Sequence, residues 1–135
     1  VTTTWATDDD CYDASALAYT AQQAYSVARV DQGRSAVTDL DVQRVEAKRL
    51  ITARLRQRGI LSSDIDRSSD LKRVEVCLTL VLLFEAVGEA NPQGQGDTYT
   101  QQAKLWRERY EQEFAVAAPV DGIRATGASF EWGRG

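Results

Sequence analysis

The chain has 135 residues with 43% hydrophobic and 27% charged side chains, so it is long enough and apolar enough for one folded domain rather than a disordered chain. Its net charge of −4 gives no global case for nucleic acid or for an anionic membrane surface. The absence of histidine removes the commonest general base and metal ligand, and two cysteines cannot make a structural zinc site, which wants four Cys or His ligands.

Cys11 and Cys77 therefore read as free thiols in a reducing cytosol, pairing only if folding brings them together. The N-terminus has no basic segment followed by an apolar run, so no signal peptide is expected. A start at Val1 fits an initiator methionine that is removed or left unnumbered. The longest apolar stretch, Val76–Phe84, falls well short of the ~20 residues that span a bilayer, and no membrane role is expected.

In chain order, Val1–Thr4 reads as a loose end. Asp8, Asp9 and Asp10 open a helical pattern, where carboxylates accept free N–H groups and complement the helix dipole. Three adjacent acids point in different directions and lack a calcium-loop glycine, so a metal reading is rejected. Ala14–Val30 is alanine-rich and predicts one or two short helices with a break at Tyr19-Thr20. Asp31–Ser35 is turn-forming.

The next helix is capped by Thr38 or Asp39 and carries Leu40, Ala47, Leu50, Ile51 and Leu55 in one stripe, with Gly59 after its last turn. Between Arg44 and Arg58 it holds six basic residues against Glu46 alone. These read as a solvated face, as salt bridges to an acidic neighbour, or as a surface facing phosphate. Arg44, Lys48, Arg54, Arg56 and Arg58 are the candidate basic face, toward DNA phosphate or toward an acidic neighbour.

After a connection at Ile60–Arg67, Ser68, Ser69 or Asp70 caps a helix that is apolar nearly all round from Val74 to Val87. Such a helix must be wrapped on several sides, by its own bundle or by a second subunit. Gly88–Gly96 reads as a loop without phosphate-loop character. Asp97 or Thr98 caps the last helix, where Tyr99, Ala103, Trp106, Tyr110, Phe114 and Ala117 form an aromatic seam at helical period. Arg107–Glu111 and Arg109–Glu113 are spaced for pairing along that helix. Leu78, Leu82 and Trp106 are expected to meet where the two long helices cross.

Pro119 ends the helical pattern. Ala128–Trp132 alternates like a strand, with Phe130 and Trp132 on one side between flanking glycines. The expectation is an all-α fold, a small bundle of about four helices over residues 1–118. An extended arm over 119–135 would add a strand to a partner, with Phe130, Glu131, Trp132 and Arg134 as its contacts.

The search for catalytic chemistry finds no base for a serine nucleophile, no Ser-x-x-Lys pattern, and no dinucleotide or Walker motif. Asp66, Asp70, Glu75, Glu85 and Glu89 all have cap or surface explanations, so no enzyme, cofactor or metal site is expected. A carboxylate-only enzyme stays open as a reading, and so does a helical regulatory module that dimerises through Val74–Val87.

The order of elements carries a further signal. Trp5-Ala6-Thr7-Asp8 leads into a small helix. A helix with Ala47 and Leu50-Ile51 then ends in Leu55 and a basic residue. A capped Leu71…Val74…Cys77…Leu80 helix follows, and then Tyr99…Ala103…Trp106. This resembles the head–tail adaptor (connector, head-completion) proteins of long-tailed bacteriophages over Trp5 to about Ala118.

The resemblance implies a helical bundle without an active site. It also implies a ring of typically twelve copies beneath the portal protein, around the DNA channel, with a C-terminal arm on the portal. A tail-side connector or stopper protein, non-specific contact with passing DNA, manufacture in the host bacterial cytoplasm and a final place at the virion's head–tail interface would follow. Residues 14–35 do not map onto that pattern.

Overall fold

The computed structural model describes residues 4–61, 68–90 and 95–118. It is all-helical: α1 spans Asp8–Ala14, α2 Ala18–Asp31, α3 Asp41–Gln57, α4 Ser68–Ala90 and α5 Gln95–Ala117. Among the described residues there is no strand. The expected arm, residues 119–135, lies outside the described residues.

Five helices stand where about four were expected, because the alanine-rich stretch divides. Its break falls at Ser15–Leu17, where the Ser15 N–H bonds the Cys11 carbonyl and the Ser15 hydroxyl accepts the Leu17 N–H. Tyr19 and Thr20 lie inside α2 instead. A serine competes for local backbone bonds better than a tyrosine can, and this moves the break.

Local chemistry sets the other boundaries. Thr7 caps α1: its hydroxyl accepts the Asp10 N–H, and the Asp10 carboxylate accepts the Thr7 N–H at 2.8 Å, a reciprocal capping box. Asp8, Asp9 and Asp10 thus form the first turn. The Thr7 N–H holds the Asp10 carboxyl below its ordinary pKa, and Lys72 adds to this. At α3 the Asp39 carboxylate accepts the Asp41 N–H at 3.2 Å.

Gly33 and Gly59 end α2 and α3 at φ of 81° and 75°. In both, the glycine N–H and the following N–H reach back to the last turn, for instance Gly59 to Arg56 and Ile60 to Leu55 at 2.9 Å each. Any Cβ there would be strained by the backbone angle itself.

Helix α4 begins at Ser68, and the residues just before it lie outside the described residues. Gly88–Ala90 continue α4 and Gln95 already belongs to α5, so both ends of the expected loop are helical, and residues 91–94 lie outside the described residues. The single glycine at 88 does not stop a helix whose preceding turns are anchored in the core.

Helix α4, about 34 Å long, is the centre of the molecule and packs against the other four helices. Val74, Leu80, Val81, Leu83, Phe84 and Val87 are fully buried within this one chain. α5 lies antiparallel along it: Arg73 pairs with Glu113 at one end, and Phe84 stacks on Tyr99 at the other, 5.9 Å between ring centres. All six members of the α5 seam are buried, as are Leu40, Ala47, Ile51 and Leu55 on α3.

Leu82 departs from expectation. Leu78 and Trp106 are buried, but Leu82 is only half-buried. Two residues before Phe84 it points about 200° away around the helix, so it cannot share the seam that Phe84 fills.

Candidate functional site

The five basic candidates do not form one open face. Most of them are tied to the chain's own acids and rings. Arg44 sits at the start of α3 with its guanidinium largely covered. It donates to Asp8 at 2.8 Å, to the Ala6 carbonyl at 2.9 Å, and to Thr4 and Asp41. Asp8 in turn accepts the Leu40 N–H, so one carboxylate links α1 to the entry of α3. Lys48 lies one turn on, 5.1 Å from the centre of the Trp5 ring.

At the other end of α3, Arg54 grips Glu111 with two hydrogen bonds, at 3.0 and 2.7 Å, and lies 4.0 Å from the Phe114 ring centre. Those bonds hold the Glu111 carboxyl below its ordinary range. Arg58 donates to the Ala118 carbonyl and also covers Phe114. Arg49 pairs with Glu46 within the helix. Arg56 is exposed and makes no ion pair among the described residues. The salt-bridge reading thus describes Arg44 and Arg54, with the acid supplied by the same chain.

The arrangement also explains why α5 does not pair along itself. Arg107 reaches Glu85 on α4, Glu111 goes to Arg54 on α3 and Glu113 goes to Arg73 on α4, while Arg109 lies over the Trp106 ring. Cross-helix partners displace the expected Arg107–Glu111 and Arg109–Glu113 pairs. Phe130, Glu131, Trp132 and Arg134 lie outside the described residues.

Of the expected loose end, residues 1–3 lie outside the described residues, and Thr4 is held. Thr4–Ala6 is tied to α3 by Arg44, Ala6 is buried, and the Ala6 N–H donates to the Glu75 carboxylate at 2.7 Å. Glu75 corrects the surface explanation: it is fully buried on α4, and burial pushes its pKa up against the opposing pull of the Ala6 and Trp5 N–H groups. Gln43 and Thr79 are buried too. A reading of the sequence could have found Glu75 from its place between Val74 and Val76, inside an apolar run whose every face is covered.

Cys11 and Cys77 are both buried and unpaired with each other, and burial pushes their thiols up to about 12 and about 11, which keeps them unreactive. Among the described residues no three acids or cysteines come together as a metal site. The described helices include none long and apolar enough to cross a membrane. A cleft between the end of α4 and the start of α5, about 470 Å³, is lined by Glu85, Glu89, Lys104 and Arg107. Its two acids and two bases balance, and Glu85 and Arg107 already pair across it.

Fold and surface together define an all-helical domain organised around one buried apolar helix. Comparison with protein-family models, with curated proteins and with solved structures finds no match.

Proposed function

We propose that the chain is a structural virion protein, the head–tail adaptor of a long-tailed bacteriophage, which assembles as a ring of about twelve copies between the capsid portal and the tail. The observation that supports this most is where the residues carrying the resemblance lie. Of its apolar positions, Ala6, Ala47, Ile51, Leu55, Leu71, Val74, Cys77, Leu80, Tyr99, Ala103 and Trp106 come from four separated stretches and are buried in one core, with Trp5 and Leu50 half-buried against it. A shared order of elements would be accidental if those positions scattered over the surface.

In this reading the portal protein takes the C-terminal arm through Phe130, Glu131, Trp132 and Arg134, and a stopper protein binds on the tail side. Arg44 and Arg54 hold the protomer together. Arg56, with Arg58 beside it, is the remaining basic surface of α3 for passing DNA, which it would meet by phosphate contacts without sequence preference. The protein is made in the host cytoplasm and ends in the virion.

The competing reading, a regulatory module dimerising through α4, is disfavoured by one observation. The apolar circumference of α4 is covered inside a single chain, which leaves that helix little apolar face to share.

Mass measurement and electron microscopy of the chain mixed with portal rings test the proposal. The expected result is a many-fold ring seated on the portal. Deletion of Thr126–Gly135 should abolish that docking and leave the melting temperature of the isolated protein nearly unchanged. A stable dimer that ignores portals would sink the adaptor reading. A melting temperature lowered by several degrees would show that the arm belongs to the protein's own core.

A further inference from the structure

Most of the large apolar side chains left exposed among the described residues lie on two helical stripes. On α2 they are Tyr19, Val27 and Val30, with the exposed Gln23 between them. On α5 they are Leu105 and Val116, with the exposed Arg109 and Gln112 between them. At ~100° per residue each set keeps within ~80° of arc, so each is one ridge, and each runs ~17 Å from end to end.

The two ridges match in height and direction. The last turn of α2 stands beside the end of α4, where Ala28, Asp31 and Ala90 line a groove of about 300 Å³. The start of α5 stands beside that same end: Phe84 stacks on Tyr99, and Lys104 shares a cleft with Glu89. At the opposite end of α4, Glu113 of α5 pairs with Arg73. There too α1 is tied to α4 by Asp10 and Lys72, and its Tyr12 meets Tyr19 of α2 edge-on, 5.5 Å between ring centres. Helix α2 thus runs parallel to α4, and α5 antiparallel to it.

We propose that these two ridges are the two halves of the contact between neighbouring copies in the ring, so that the occupant of each is a second copy of this chain. The contact rests on the adaptor reading for the ring and adds its faces. Rotation about an axis along α4 keeps every residue at its own height. A copy turned in this way lays its α5 ridge antiparallel on the α2 ridge of its neighbour. Leu105 comes level with Val30, Gln112 with Gln23 and Val116 with Tyr19.

Shape and charge both fit that register. Leu105 reaches the groove beside Val27, whose lining of Ala24, Ala28 and Ala90 is apolar and small-sided. Next to it Lys104 faces Asp31, and these two are exposed and make no ion pair among the described residues. The other charges of the α5 ridge, Glu108 and Arg109, come level with the neutral Val27 and Ser26. Because the two faces differ, the contact is head-to-tail and repeats around a ring instead of stopping at a pair. One helix wide and ~17 Å long, it is smaller than the ~800 Å² per partner of a stable pair. A single contact is therefore weak, and closure, which gives each copy two, holds the ring.

The test uses the full chain with one cysteine added on a ridge, Gln23→Cys in one sample and Gln112→Cys in another. Both positions are exposed, whereas Cys11 and Cys77 are buried. A short bis-maleimide is added to millimolar chain, and again to chain mixed with portal rings. The two variants together are expected to give a cross-linked pair that neither gives alone. A chain carrying both cysteines should give a ladder of higher multimers. Lys104→Asp should lower the yield about tenfold, and adding Asp31→Lys should restore it. No mixed pair under either condition would overturn the contact. So would Gln23→Cys linking to itself as readily as to Gln112→Cys, or a yield indifferent to the charge reversals. Rings seated on portals without the cross-link would remove this contact and leave the adaptor reading. A ladder from a chain that ignores portals would keep the contact and remove the adaptor reading.

Discussion

The two sides of α4 are built on different principles. Toward α5 the contact is mainly aromatic, with Phe84 stacked on Tyr99, with Trp106, Tyr110 and Phe114 buried, and with the ion pairs Arg73–Glu113 and Arg107–Glu85 at its rim; its one buried polar atom without a partner among the described residues is the Trp106 indole nitrogen. Toward the N-terminal segment, α1, α2 and α3 the molecule mixes small side chains, Ala6, Ala18, Ala21 and Ala47, with the aliphatic Leu40, Ile51 and Leu55, and admits polar groups to the interior. Glu75, Thr79, Gln43 and Gln22 lie there, and the Gln22 amide donates to the Val37 carbonyl at 2.8 Å. Apolar area makes the first side strong without requiring exact partners, because dispersion and burial are not directional. The second side depends on particular hydrogen bonds.

The largest expected effect lies on the aromatic side. Phe84→Ala removes a fully buried ring and should cost ~3–5 kcal/mol by chemical denaturation. Leu82→Ala, on the same helix but half-buried and facing away, should cost only ~1–2 kcal/mol, since less area leaves water and the site can relax. Equal losses at the two positions would show that α4 is packed alike all round, and the contrast drawn above would be lost.

That contrast also explains what was legible in the sequence. The α5 seam could be read because aromatic residues at helical period have one plausible destination, and Gly59 because a helix end needs a left-handed residue. Glu75 was missed because a carboxylate next to a capped helix start has a cheaper explanation on the surface, and no period marks a buried acid. The pairing of Arg54 with Glu111 and of Arg107 with Glu85 was missed for another reason. Spacing along one helix is visible in a sequence, whereas proximity between helices is set only when they pack. The division of residues 14–31 turned on one serine, Ser15, whose local hydrogen bonds outweigh the alanines around it.

The polar side is probed by Arg44. Replacing it with alanine leaves Asp8, Thr4 and the Ala6 carbonyl without their donor at once. All are at least partly covered, so a loss of ~2 kcal/mol is expected. The loss should be accompanied by faster hydrogen exchange at Leu40, whose N–H donates to the Asp8 carboxylate that Arg44 holds in place. A stability loss with Leu40 unaffected would mean that Arg44 acts through packing of its stem and that Asp8 keeps its position unaided.

The smallest effect should come from the rim of the aromatic side. Arg107 and Glu85 meet at 3.2 Å with about half of each side chain in water, 48% and 43% exposed. Solvent screens such a pair, and holding two long side chains in one geometry costs entropy, so exposed pairs contribute ~0.2–1 kcal/mol at most. The aromatic seam beneath, Trp106 and Phe84 included, keeps its burial whether or not the pair forms. Arg107→Ala should therefore change stability by less than ~0.5 kcal/mol, and added salt should erase even that difference. The double-mutant cycle with Glu85→Ala measures the pair directly. A coupling above ~1 kcal/mol, persisting in high salt, would mean that the rim ion pairs help to fix how α5 lies on α4, and that the aromatic side too depends on specific polar partners.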